Sequence, residues 1–390
     1  MLLRLIAIAV CVATLSGGET IALVSSLPHT GSAGGQANSI VNGIRMAIDE
    51  VGGEVAGFAL THIQLDDATP ERGQWDPNAE DTNARNAIAN PDAMVYIGTF
   101  NSGAAKIAMP KLNAAGLAMI SPANTYTGLT KPGKGAANEP AVYRPSGTVT
   151  YFRVVPADDI QGLVGAQWAK EMGAKKAYVL HDKELYGQGL AEVFRASAEK
   201  LGIEVVGYDG INSKEPNYRS LVTKIRVKGA DTVYFGGTTQ TNGGQIAKDL
   251  VAGGLDVKYI VPDGCYESAF IEAAGAALEG RCFLTFGGVP PEELTGAGKT
   301  FVDAYVAKFG GRPEAYAVYG YECARVAIDA IRRAGVKDRA AINAAIAATR
   351  DFPGVLGTWS FDENGDTSMT VMSGNTVKDG KFAFVKLLGQ

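Results

Sequence analysis

From residue 21 to residue 287, short apolar runs alternate with longer segments of helical character almost without a break. IALVSS (21–26), FALTHIQL (58–65), MVYI (94–97) and AMIS (118–121) form a first series, and the segments between them carry apolar residues at helical spacing, such as Ile40, Ile44, Ala47 and Ile48. A second series runs YFRVV (151–155), AYVLHD (177–182), IEVVGY (203–208), TVYFGG (232–237), YIVPDG (259–264) and CFLTFG (282–287). Such alternation builds parallel sheets wrapped by helices. Two series of this length do not share one compact sheet comfortably, so the expected fold is α/β with two Rossmann-like parallel-sheet lobes.

The late chain tests that reading. It turns helical over 300–309, 315–334 and 340–348, then ends in the strand-like runs GTWSFD (357–362), TVMSGN (370–375) and FAFVKLL (382–388). Returning the helices to the first lobe and the strands to the second requires three crossover segments, expected near Arg153–Ala157, Leu284–Gly287 and Gly357–Phe361. The lobes are then 19–153 with 287–356, and 154–286 with 357–390. The stretch 126–150 is long, irregular and rich in glycine and proline, and is expected as a surface flap near the mouth of the cleft.

At 46% hydrophobic and 20% charged, the 390 residues can bury a large core. A net charge of −5 without any lysine or arginine block argues against nucleic acid as a partner. MLLRLIAIAVCVATLSGG (1–18) holds one arginine and an apolar run too short to span a bilayer. It fits a signal peptide cleaved before Glu19, which places the mature chain outside the cytoplasm, in the periplasm or beyond. In that oxidising compartment Cys265 and Cys282, 17 residues apart and each near a strand end, are expected to pair as a disulfide.

Several motifs invite a catalytic reading and fail on inspection. LSGGE (15–19) looks like an ATPase signature but falls in the cleavage region, and GLTKPGKG (128–135) has glycine where a P-loop needs serine or threonine. His29, His62 and His181 are the only histidines, and no G-x-S-x-G elbow accompanies them. Asp66–Asp67 and Asp158–Asp159 each follow a strand, where acids commonly cap or terminate. No metal-ligand spacing and no cofactor motif appears, so no enzyme is expected. What remains is a set of small polar groups at the C-terminal ends of strands, where open α/β sheets bind ligands. They are Asn101–Ser102 and Ser121–Thr125 in the first series, and 181–189, 236–244 and Pro262–Gly264 in the second.

HDKELYGQGLAEVF (181–194), AMISPANT (118–125), FRVVPADDIQG (152–162) and AYAVYGYECA (315–324), in this chain, resemble the periplasmic leucine/isoleucine/valine-binding proteins. These are the substrate-binding components of branched-chain amino acid ABC importers. The resemblance implies the type I periplasmic-binding fold and a monomer that delivers a small amino acid or related acid to a membrane permease. A ligand-sensing protein of the same fold, binding an amide or an aromatic carboxylate, is the alternative.

By position, the resemblance puts Ser102, Ala123 and Thr125 on the ligand carboxylate and Asp263 on its ammonium group, with Tyr186 and Tyr316 beside them. Asn101 adjoins this set. Gln36 and Thr238 stand where the family often carries aromatic residues, which leaves side-chain preference open. The physics agrees at Ser102. Free N–H groups at a helix start, with the helix dipole behind them, favour an anion.

Overall fold

A computed structural model describes residues 18–389; the expected leader lies almost entirely outside them. The first part of the chain folds as β1 (Thr20–Leu27), α1 (Gly34–Glu50), β2 (Glu54–Val55), β3 (Phe58–Asp66), the small pair β4 (Ala68–Thr69) and β5 (Gln74–Trp75), α2 (Pro77–Ala89), β6 (Ala93–Gly98), α3 (Ser102–Ala114), β7 (Ala118–Ser121) and β8 (Tyr151–Arg153). The second comprises α4 (Asp158–Glu171), β9 (Lys176–His181), α5 (Leu185–Lys200), β10 (Glu204–Gly210), α6 (Arg219–Lys228), β11 (Thr232–Gly236), α7 (Gly243–Ala252), β12 (Lys258–Val261), α8 (Ser268–Ala274) and β13 (Cys282–Gly287). The rest is α9 (Gly296–Phe309), α10 (Ala317–Ala334), α11 (Arg339–Ala347), β14 (Phe352–Gly354), β15 (Gly357–Trp359), β16 (Met372–Lys378) and β17 (Lys381–Leu388).

Two sheets result, ordered β2-β3-β1-β6-β7-β8 and β10-β9-β11-β12-β13-β16-β17. Their central strands pair in parallel and are mostly apolar at their cores because helices cover both faces. Every residue of β6 is buried, as is every residue of β11. Only β2, β16 and β17 run antiparallel to their neighbours, at the sheet edges.

The chain passes between the lobes three times. After β8 it leaves the first sheet through Val154–Ala157, and after β13 it returns to place α10 against α1. That helix pair approaches closely because glycines face each other's backbone: a Cβ on Gly320 would collide with the Ile40 carbonyl oxygen, and one on Gly43 with that of Ala317. The third passage, residues 360–371, holds two isolated bridges, Arg153↔Asp366 and Phe361↔Thr367, before β16 joins the second sheet.

Three expectations are corrected. GTWSFD does not join the second sheet: β15 pairs with β14 in its own hairpin, where the Trp359 indole N–H bonds Glu322 of α10 at 3.2 Å. YFRVV does not start the second sheet either, because β8 adds to β7 as the edge of the first. Cys265 and Cys282 are buried, free thiols rather than a disulfide. Cys282 sits level with Tyr259 at the start of the β12–β13 pair, whereas Cys265 lies beyond the far end of β12.

The 126–150 stretch is a flap only over its middle. Leu129 and Thr130 are fully buried, and Glu139 accepts hydrogen bonds from Tyr126 (2.9 Å) and Tyr143 (2.5 Å), folding the loop back on itself.

Candidate binding site between the lobes

β6 and β7 end side by side, and two turns follow them. After β6, Phe100–Ser102 lead into α3, whose N-cap Asn101 makes no side-chain capping bond. After β7, the Ser121 hydroxyl oxygen accepts the N–H groups of Ala123 (3.1 Å) and Asn124 (2.8 Å), curling the chain so that Ala123 faces the cleft. The Asn124 side-chain amide stitches the turns together by donating to the Phe100 carbonyl at 2.9 Å. Ser102 Oγ accepts the Tyr126 N–H at 3.3 Å, which leaves the hydroxyl proton free to donate.

The opposite wall comes from the second lobe. Tyr186, in the first turn of α5, donates to Asp263 Oδ1 at 2.5 Å and accepts the Gly264 N–H at 3.2 Å. Thr238 caps a single helical turn (Thr239–Thr241) reciprocally with Thr241, whose hydroxyl also reaches Asp182 at 3.0 Å. Burial pushes the Asp182 carboxyl up to about 7 despite that support. Asp263 opens the turn after β12. Its other oxygen accepts from Tyr316, which reaches across from the start of α10. One carboxyl is thus held by tyrosines from both lobes.

Asn101, Ser102, Ala123, Tyr186, Thr238, Asp263 and Tyr316 all line one small, nearly closed space between the lobes. A larger open groove, flanked by Ser268, Arg312 and Phe382, contains none of them; chemistry rather than size picks the site. Thr125 and Gln36 lie one layer back. Thr125 is buried with its hydroxyl unpartnered. Gln36 accepts the Tyr316 N–H (3.0 Å) and donates to the Tyr266 carbonyl (3.2 Å), so it joins the lobes behind Tyr316. Asn101 makes a similar bridge, donating to Gln240 at 3.0 Å.

Sequence reasoning missed two residues here, Phe100 and Asp158, while Gly264 belongs to the strand-end group it had picked out. Phe100 and Gly264 complete the lining, and Phe100 packs edge-on against Tyr316 with ring centroids 5.6 Å apart. The second is Asp158. It looked like an ordinary acid at a strand end, but it is 1% exposed and both its oxygens lack partners. Burial first, then the negative charge of Asp263, push its carboxyl well above the usual range. Burial also raises Asp263, against the hydrogen bonds from Tyr186 and Tyr316. Two neighbouring acids in one enclosed region need either protons or a cation. The Arg153 guanidinium nearby is already paired with Asp366 at 2.6 Å. No histidine lines the space, and among the described residues no side-chain cluster could hold a metal.

Residues 20–381 match the family described as periplasmic binding protein. The chain belongs to that family. Among its relatives are an "amino acid binding protein" of Pseudomonas aeruginosa, 29% identical and covering 93% of each chain, and a "Leu/Ile/Val-binding protein homolog 1" of Brucella suis, 30% identical and covering 92% of each. A leucine binding protein from Thermotoga maritima superposes with a TM-score of 0.83 at 26% identity, covering 95% of this chain and 99% of that one. A solute-binding protein of Rhodopseudomonas palustris solved with benzoate, at 21% identity and a TM-score of 0.79, shares the fold. This periplasmic binding protein is therefore a solute-binding component of the kind that ABC importers use, not an enzyme, and its family membership implies export.

Proposed function

We propose that this periplasmic binding protein captures a small α-amino acid between its lobes and delivers it to the permease of an ABC importer. One observation carries the reading: a donor-rich pair of turns faces the buried carboxyl of Asp263 across a single small space, with a second buried acid, Asp158, close by. A zwitterion has opposite charges on one carbon, so it needs that pairing of surroundings a few ångströms apart. Ser102, the uncapped start of α3, Ala123 and Thr125 serve the carboxylate. Asp263, with Asp158 behind it, serves the ammonium group, and Tyr186 and Tyr316 hold Asp263 in place. Asn101, Thr238 and Gln36 shape the surroundings of the ligand's side chain. The lobes, 19–153 with 287–359 and 154–286 with the β16–β17 strands, close by rotation about the three passages. The mature monomer, freed of residues 1–18, works in the periplasm.

The relatives' names speak of amino acids, and two of them of branched-chain ones. A thermal-shift screen over amino acids, amides and aromatic acids tests the proposal. A ligand present at ~100 times its dissociation constant adds ~2.7 kcal/mol of stability. Stabilisation by an α-amino acid supports the reading. Stabilisation only by an amide or an aromatic acid replaces it with the sensor-like alternative.

A further inference from the structure

Arg153 ends β8 where the first and third passages meet. It is fully buried, and its Nε donates to Asp366 Oδ1 at 2.6 Å while its backbone N–H bonds the Gly365 carbonyl at 3.0 Å. The rest of the guanidinium points at the ligand-facing turn: Nη1 donates to the carbonyls of Tyr126 (2.9 Å) and Asn124 (3.3 Å), and Nη2 bonds Thr130. Thr130 closes the circuit by donating to Asp366 Oδ2 at 3.1 Å. From the first passage, the Asp158 N–H bonds the Thr125 carbonyl (2.9 Å) and the Asp159 N–H bonds Thr127 Oγ1 (3.1 Å). The turn 124–127 is thus held from behind by both passages, with Thr125 buried within it.

A buried ion pair is weak evidence for stability, because apolar side chains of similar volume often serve the fold as well. What apolar side chains cannot do is fix two carbonyls, a hydroxyl and a carboxylate at once. A guanidinium has five N–H donors in a rigid fork, suited to that geometry. We propose that Arg153 and Asp366 are positioning residues: their ion pair sets the 124–127 turn relative to the hinge, so that the grip on the ligand depends on a residue of the third passage that never touches it. The role in ligand affinity rests on the binding function proposed above; the hold on the turn does not.

The test uses the mature chain with Asp366→Asn and, separately, Arg153→Lys, which keeps the charge but loses the fork. Amide hydrogen exchange is measured without ligand. The account expects exchange at Tyr126, Asp158 and Asp159 to accelerate by at least about tenfold in both variants, while Val24 and Ile97 in the core of the first sheet stay as they were. Uniform acceleration everywhere, or none at the turn, overturns the proposal. Should Asp366→Asn fail to fold, Arg153→Lys decides alone. A second arm titrates L-leucine into wild type and variants, and a loss of about tenfold or more in affinity is expected. If wild type ignores L-leucine, the ligand assignment is at fault, and the exchange result still decides the positioning role.

Discussion

Asp263 accepts a hydrogen bond from Tyr186 of one lobe and from Tyr316 of the other, so a single carboxyl registers how closely the lobes approach. With an ammonium group enclosed beside it, Asp263→Asn leaves that charge buried and unpaired. The cost is ~3–5 kcal/mol, or roughly two to three and a half powers of ten in amino acid affinity. Fluorescence titration checks this, with circular dichroism to show that the fold survives. Asp158→Asn has a different signature. It removes a buried acid that lacks partners, so the ligand-free protein is expected to melt no lower than wild type, while its amino acid affinity falls. The contrast between the two acids shows what sequence carries at this scale. Ser102, Ala123 and Thr125 were legible because small polar residues at strand ends are a local signal. Asp158 was not, because an acid after a strand looks the same whether it caps a helix in solvent or faces another carboxyl. Its meaning depends on Asp263, 105 residues away in the chain.

Among the elements, the sheets and their helices follow from apolar spacing alone. The failures fall where pairing is decided at a distance. GTWSFD has strand character, yet it docks on α10 because Glu322 is buried there and takes the Trp359 indole N–H. The same cause explains the 126–150 loop, whose composition signals exposure but whose Leu129 and Thr130 are packed into the hinge region. A further buried acid lies in the first lobe. Glu80 of α2 is fully enclosed, accepting from Ser26 at 2.6 Å and from Tyr96 at 2.8 Å, with the partnerless Asp67 nearby. Burial raises Glu80 to about 8. A carboxyl whose folded value is raised binds its proton more tightly when folded. Its contribution to stability is therefore complete below the unfolded value, ~4.3, and is lost as pH rises toward 8. Denaturant midpoints of wild type should fall between pH 5 and pH 8, and Glu80→Gln should flatten that decline. An unchanged slope in the variant would place the pH dependence elsewhere.

At the scale of the molecule, the polar groups of the site divide between two bodies. The donor-rich turns belong to the first sheet and the acids to the second and its connections. Neither lobe alone offers both ends of a zwitterion, so a ligand gains from closure by what it adds in that state alone. On the proposed function the lobes rotate about the three passages, and Asn101 and Gln36 bridge them where they meet. This division was implicit in the order of strands and helices along the chain, since late helices returning to the first lobe are what carry Tyr316 to Asp263. The central claim is that the enclosed ligand carries an α-ammonium group. Calorimetric titration with the best-binding amino acid and with its des-amino analogue tests it directly. The account predicts that the amino acid binds at least about a hundredfold more tightly, as expected for a buried charge pair. Equal or tighter binding of the des-amino acid would contradict it.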